Sequence, residues 1–222
     1  MSETTSTTTT AAPASPAPLA LTYVFDAYCG WCYGFGPSVR ELAQSDDVSV
    51  EVISGGLFSG ARVSALADHP YIPEANARIS ALTGAHFGPG YQRAVADGTL
   101  RMDSDDASRG LVALKAVAPQ RRQVELAGAL QRAFYEDGLS LSSPQTYRVI
   151  AEREGLDADA LVAAFEDPAT ATAAAAERQR ARALGVDSYP TLLARTDRGL
   201  VKIGSPVAGA EHLRQAVEAL RG

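Results

Sequence analysis

The two cysteines of this 222-residue chain, Cys29 and Cys32, are separated by only two residues. A structural disulfide between such near neighbours would close a very small loop and add little stability. The spacing instead indicates thiol–disulfide chemistry or one half of a zinc site. Zinc would need two more ligands, yet no two histidines of the chain lie at ligand spacing: His69, His86 and His212. We therefore interpret the pair as a redox couple and expect no metal.

A predicted strand and a predicted helix position this pair. Residues 21–25 form a β-branched and aromatic run that is typical of a buried strand. After the cysteines, apolar residues recur at helical spacing on both sides of Pro37: Phe35, Val39 and Leu42. A second strand is predicted over residues 48–53. Strand, helix and strand form a βαβ unit, with the cysteines at the start of its helix.

The start of a helix gives the two cysteines different tasks. Unpaired backbone N–H groups and the helix dipole stabilise an anion there, so Cys29 is expected to attack as a thiolate. Cys32, one turn further along and more buried, is placed to resolve the mixed disulfide. Gly30 and Trp31 are expected to adjust the reduction potential of the cysteine pair without supplying an acid or a base. Trp31 is further expected to be exposed and to contact substrate.

Helical patterns fill the centre of the chain before strands return. Successive amphipathic stretches occupy residues 59–184. Residues 190–194 and 199–203 predict a hairpin with its turn at 195–198, and a final helix is predicted over 208–220. The fold class is therefore α/β, a thioredoxin-like core in the order βαβ…ββα with an inserted all-helical domain.

This order predicts three parts of the chain. Residues 21–58 and 185–222 form the thioredoxin-like domain, and residues 59–184 form the inserted helical domain with its connecting helix. Residues 1–20 are rich in Thr, Ser, Ala and Pro and are expected to be a disordered leader. The leader lacks the positive start and apolar core of a secretory signal. We therefore expect the chain in the cytoplasm, where thiols are kept largely reduced.

Charge and hydropathy exclude two classes of partner. The net charge is −6 and the pI is about 5.1, whereas a nucleic-acid binder normally presents a basic face. No apolar run approaches the roughly 18 residues that a membrane-spanning helix needs. We expect neither a nucleic acid nor a membrane as partner, and a monomer or a homodimer as the assembly.

The active segment and several later motifs resemble one family. Residues 25–34 read FDAYCGWCYG and are similar to the active-site segment of the DsbA-like family, in particular its FrnE-type cytoplasmic relatives. Asp103-Ser104 with Ala107 and Arg109 is similar to a later motif of that family, as are residues 133–138 and 184–191. The resemblance covers nearly all of residues 21–220.

The resemblance implies a second part of the site. It implies a cis-proline at Pro190 that faces the cysteine pair, and a backbone beside it that pairs with the substrate chain. Tyr189, bulkier than the Val or Thr usual there, would then contribute to substrate binding together with Gly30 and Trp31. Gly-Trp replaces the Pro-His of the best-known members, which implies a weaker oxidant.

Asp26 has two interpretations that the sequence leaves open. It is a candidate proton acceptor for Cys32 during resolution, if it lies buried near the pair. It is equally a residue at the end of a strand that makes turn hydrogen bonds.

Together these features predict a thiol–disulfide oxidoreductase or isomerase that acts through Cys29, Cys32 and Pro190 and needs no cofactor. Its expected partners are protein or peptide thiols and disulfides, with glutathione as a further candidate. One alternative is a glutathione-dependent isomerase or transferase of the same superfamily, although such relatives usually carry Ser in place of Cys29. The other alternative is a non-catalytic, chaperone-like binding module.

Overall fold

The computed structural model of the protein describes residues 17–221. Most of the leader expected over residues 1–20 therefore lies outside the described residues. The prediction was wrong for Leu19 and Ala20, because the first strand begins at Leu19. These two residues continue the parallel register of that strand, opposite Val48 and Ser49.

Within residues 17–221, six strands and nine α-helices follow one another. In chain order they are β1 (Leu19–Phe25), α1 (Gly30–Leu42), β2 (Val48–Ser54), β3 (Ser64–Ala65), α2 (Ile72–Thr83), α3 (Pro89–Asp97), β4 (Arg101–Met102), α4 (Ser104–Val117), α5 (Gln123–Tyr135), α6 (Pro144–Glu154), α7 (Ala158–Glu166), α8 (Pro168–Ala183), β5 (Thr191–Thr196), β6 (Gly199–Ile203) and α9 (Ala210–Arg221). Among the described residues, no helix combines the length and apolar character needed to cross a bilayer.

The main sheet has four strands in the order β2-β1-β5-β6. Strand β1 pairs in parallel with β2 and antiparallel with β5, which in turn pairs antiparallel with β6. Strands from both ends of the chain thus meet in one sheet, as the order βαβ…ββα predicted. The carboxyl end of β1, where the cysteines follow, lies next to the amino end of β5, where Pro190 precedes the strand.

The central strand β1 is buried because both of its faces are covered. Tyr23 and Phe25 point into the main core, while Val24 packs on the other face with Ile53 of β2 and Ala181 of α8. This alternation follows from the period of two of a β-strand. Burial of both faces explains why β1 is apolar at almost every position instead of alternating.

The centre of the chain is helical, with two additions that the sequence did not predict. Strands β3 and β4 form a short antiparallel ladder. Helix α3 begins in a Gly-Pro-Gly run that reads as a loop, since glycine and proline are strong breakers. Proline is nevertheless compatible with a first helical position, and a Cβ at Gly90 would overlap the backbone of Asp137. Close packing, not helix propensity, therefore accounts for the glycine.

Two element boundaries differ from the predicted ones. The hairpin turn shrinks from four residues to two because β5 continues to Thr196 before β6 begins at Gly199. The last helix begins at Ala210 and not at Ala208.

Two helical glycines offer a matched test of how closely the helices pack. A Cβ at Gly110 of α4 would overlap the buried ring of Tyr147, whereas Gly128 of α5 faces only the flexible guanidinium ends of Arg132 and Arg40. Gly110→Ala is therefore expected to lower the free energy of unfolding by about 1–3 kcal/mol. Gly128→Ala is expected to raise it by up to about 1 kcal/mol through helix propensity.

Urea denaturation of both variants measures these changes. A Gly110→Ala protein as stable as the wild type would contradict the packing of α4 against α6.

Candidate active site

Cys29 occupies the cap position of α1, where the chain leaves strand β1 and enters the helix. Its backbone is extended, with φ −87° and ψ 109°, and its Sγ accepts a hydrogen bond from the backbone N–H of Cys32 at 3.4 Å. The first turn of α1 contains no acidic residue, so no side chain in that turn opposes the positive end of the helix. A negative charge on this sulfur is therefore stabilised by the helix that follows it.

The two cysteines differ in burial, as the spacing predicted. Both are free thiols; Cys29 keeps 6% of its surface exposed, while Cys32 is fully buried. Burial raises the pKa of the Cys32 thiol well above its ordinary value, and its hydrogen bond with Cys29 and the charge on that residue raise it further. An incoming sulfur can reach only Cys29, and Cys32 holds its proton until a base removes it.

The loop before β5 brings a second chain segment against Cys29. The peptide bond between Tyr189 and Pro190 is cis, as the resemblance implied. The carbonyl oxygen of Tyr189 lies 3.5 Å from Sγ of Cys29 and accepts a hydrogen bond from the thiol. Residues 160 positions apart in sequence thus meet at the reacting sulfur.

Gly55 makes room for the large side chain at position 189. A Cβ on Gly55 would overlap the ring of Tyr189, so only glycine fits beneath the ring. The backbone N–H of Gly55 donates to the carbonyl oxygen of Phe25 at 2.7 Å, which continues the pairing of β1 with β2. The Gly55-Gly56 pair in the sequence is the signal that could have pointed to this close approach.

Asp26 is buried at the end of β1 and makes turn hydrogen bonds, as one of its two interpretations expected. One carboxylate oxygen accepts from the N–H of Tyr28 at 3.0 Å, the turn hydrogen bond expected at a strand end. The other accepts from the N–H groups of Gly56 and Leu57 at 3.0 and 2.7 Å. Burial raises the pKa of Asp26, and these backbone hydrogen bonds act in the opposite direction.

Gly30 and Trp31 lie on the side of Cys29 that faces α2. A Cβ on Gly30 would overlap the side chain of Ile79, so this glycine lets α1 and α2 approach closely. Trp31 is half-buried, not exposed as predicted, because its ring packs against the core and lies 6.0 Å from the guanidinium carbon of Arg78. Both residues border an apolar cleft beside Cys29 that also includes Tyr71.

Comparison with known proteins identifies the same fold. A family model described as the DSBA-like thioredoxin domain matches residues 20–221. No curated protein matches the chain in sequence.

Among solved structures, the chain is similar to the cytosolic disulfide reductase DsbM from Pseudomonas aeruginosa, with a TM-score of 0.77, 24% identity, and coverage of 90% of this chain and 98% of DsbM. A second structure of that protein, with GSH, gives a TM-score of 0.73 at the same identity and coverage. Reduced DsbA1 from Neisseria meningitidis gives a TM-score of 0.57 at 12% identity, covering 95% of this chain and 88% of DsbA1.

Replacing Asp26 with asparagine is expected to flatten the dependence of stability on pH. Because burial raises the pKa of this carboxyl group, the folded protein keeps its proton to a higher pH than the unfolded chain does. The stability linked to this proton is complete below the unfolded pKa and is lost as the pH rises through the folded one. One such group changes the free energy of unfolding by at most about 1.4 kcal/mol per pH unit.

Urea denaturation between pH 4 and pH 8 measures the slope for the wild type and for Asp26→Asn. Asp159→Asn removes a carboxylate that is 87% exposed and controls for the loss of one charge. If Asp26→Asn keeps the full wild-type slope, Asp26 does not carry the raised pKa.

Proposed function

The chain belongs to the family of DSBA-like thioredoxin domains, which are thiol–disulfide oxidoreductases, and we propose that it exchanges its dithiol with disulfides of protein or peptide substrates. The observation that carries this proposal is the position of Cys29. Its sulfur lies at the start of α1, is the more exposed sulfur of the pair, and is 3.5 Å from the carbonyl oxygen of Tyr189.

In the first step, the thiolate of Cys29 attacks one sulfur of a substrate disulfide. A bond forms between Sγ of Cys29 and that sulfur, the substrate S–S bond breaks, and the second substrate sulfur leaves as a thiolate. The positive end of α1 and the N–H of Cys32 stabilise the attacking anion.

In the second step, Cys32 attacks Sγ of Cys29 and releases the remaining substrate thiol. Since burial raises the pKa of Cys32, a base must first take its proton, and we assign this task to Asp26. The raised pKa of Asp26 suits it to accept and later release a proton. Two electrons pass from the cysteine pair to the substrate, and the reverse sequence oxidises a substrate dithiol.

The segment beside Pro190 is proposed to hold the substrate backbone. In the reduced protein, the carbonyl oxygen of Tyr189 accepts from the thiol of Cys29. Cys29 loses that proton when it ionises before attack and does not regain it in the mixed disulfide, so the carbonyl becomes free to accept an N–H of the substrate strand. Pro190 has no N–H of its own, and Gly30 and Trp31 border the apolar cleft that includes Cys29.

We further propose that the exchange is reductive, takes place in the cytoplasm and includes glutathione among its partners. The support is the similarity to a protein named as a cytosolic disulfide reductase, one structure of which contains GSH.

Single-cysteine variants test the assignment of the two sulfurs. Cys32→Ser is expected to accumulate a mixed disulfide with a disulfide-containing peptide, because attack by Cys29 remains and resolution is lost. Cys29→Ser is expected to form none and to lose turnover. Intact-mass spectrometry after acid quenching measures the adduct.

The reversed pattern, with an adduct on Cys32 in the Cys29→Ser protein, would contradict the assignment. Peptide binding that persists unchanged in Cys29→Ser, with no exchange by the wild type, would instead favour a binding module.

A further inference from the structure

A second cavity, of about 380 Å³, opens beside Tyr189. Two arginines from distant parts of the chain line it, Arg62 from the loop after β2 and Arg182 from the last turn of α8. Asp187 lines it as well, so the three side chains together carry a net charge of +1. Tyr189 forms the wall nearest to the cysteine pair.

Arg62 is held in place, and neither arginine is paired with a carboxylate among residues 17–221. Arg62 donates one Nη2 hydrogen bond to the carbonyl oxygen of Gly56 at 2.6 Å, which fixes its guanidinium beside the site. Within residues 17–221, neither Arg62 nor Arg182 forms an ion pair with a carboxylate. Donors of both guanidinium groups thus remain free for a ligand.

The other arginines of helix α8 do have acidic partners. Arg178 pairs with Asp105 at 3.0 Å, and Arg180 pairs with Glu51. Only the third arginine of the helix, Arg182, has no acidic partner in the described part of the chain, and it is the one that lines the cavity beside Tyr189.

Both positive charges act on the hydroxyl group of Tyr189. Burial raises the pKa of this tyrosine, and the charges of Arg62 and Arg182 oppose that shift. Two guanidinium groups and a phenol therefore face one small volume. Guanidinium groups form strong, paired hydrogen bonds with carboxylates, and a phenol adds a further donor.

The cavity lies within reach of the reacting sulfur. Tyr189 itself connects the two places, since its carbonyl oxygen is 3.5 Å from Sγ of Cys29 while its side chain lines the cavity. Successive residues of an extended substrate advance by about 3.3 Å. A side chain or terminus one or two residues from the substrate cysteine can therefore enter the cavity.

We propose that Arg62 and Arg182, with Tyr189, form a subsite for a substrate carboxylate located within two residues of the reacting cysteine. The proposal rests on the thiol–disulfide exchange proposed above and adds a charge preference to it. Two sources present this chemistry: glutathione, whose cysteine is flanked by two carboxylate-bearing residues, and a protein segment with Asp or Glu beside its cysteine.

The test uses matched pairs of disulfide-linked peptides. Within a pair, one residue beside the cysteine is Glu in one peptide and Gln in the other, and the position before and the position after the cysteine are tested in turn. The reduced wild-type protein is expected to react about three- to tenfold faster with the better-placed Glu peptide than with its Gln counterpart. In the double variant Arg62→Gln/Arg182→Gln this ratio is expected to fall to about one. Arg180→Gln removes a charge from the same helix and is expected to keep the wild-type ratio.

Glutathione disulfide and its diethyl ester at the two glycine carboxyl groups, in which the remaining carboxylates and ammonium groups balance, form a second pair of substrates. A faster reaction of the wild type with the free acid, lost in the double variant, assigns the subsite to glutathione. A preference seen only with the peptides assigns it to acidic protein segments, and both results support the subsite.

Equal rates for the charged and neutral substrates in the wild type would overturn the subsite and leave the exchange function standing. A wild-type protein that reacts with none of these disulfides would overturn the exchange function and the subsite with it. The two failures are therefore distinguished in one set of rate measurements.

Discussion

The carboxylate of Asp26 connects the loops that follow two adjacent parallel strands. It accepts hydrogen bonds from the N–H groups of Tyr28, just after β1, and of Gly56 and Leu57, just after β2. Its own carbonyl oxygen accepts the N–H of Cys29 at 3.1 Å, so the same residue fixes the start of α1. A buried carboxylate is costly unless backbone donors satisfy it. Those donors are therefore held in one arrangement, and the rest of the site is built on that arrangement.

This constraint separates the environments of the two sulfurs. Cys29 lies where the helix begins and where the loop of Tyr189 leaves it partly accessible. Cys32 lies one turn inward and is fully buried, and this burial raises its pKa. The sulfur of Cys29 can therefore attack, whereas the thiol of Cys32 must first lose its proton to an acceptor. The loop that Asp26 holds also carries Gly55, on which the ring of Tyr189 rests, so the substrate-facing side of the site depends on the same hydrogen bonds.

Local sequence patterns predicted the parts of the site that local forces determine. The strand–helix unit around Cys29 and Cys32 and the βαβ…ββα order follow from hydrophobic periodicity and helix-start chemistry, and both were confirmed. Features that depend on distant contacts were missed or misjudged. The half-burial of Trp31 requires the packing of its ring against the core, and the fit of Tyr189 over Gly55 joins residues far apart in the chain. The meeting of Arg62 with Arg182 likewise exists only in the folded chain.

The central claim is that Cys29 and Cys32 form one working redox couple, and an equilibrium titration in glutathione buffers tests it most directly. The purified protein is equilibrated across ratios of reduced to oxidised glutathione, quenched with acid, alkylated and weighed by mass spectrometry. We expect a single transition in which both thiols disappear together, as a two-electron couple requires, and its absence in Cys29→Ser. Cysteines that stay unreactive across the whole range, or that oxidise independently of each other, would contradict the account.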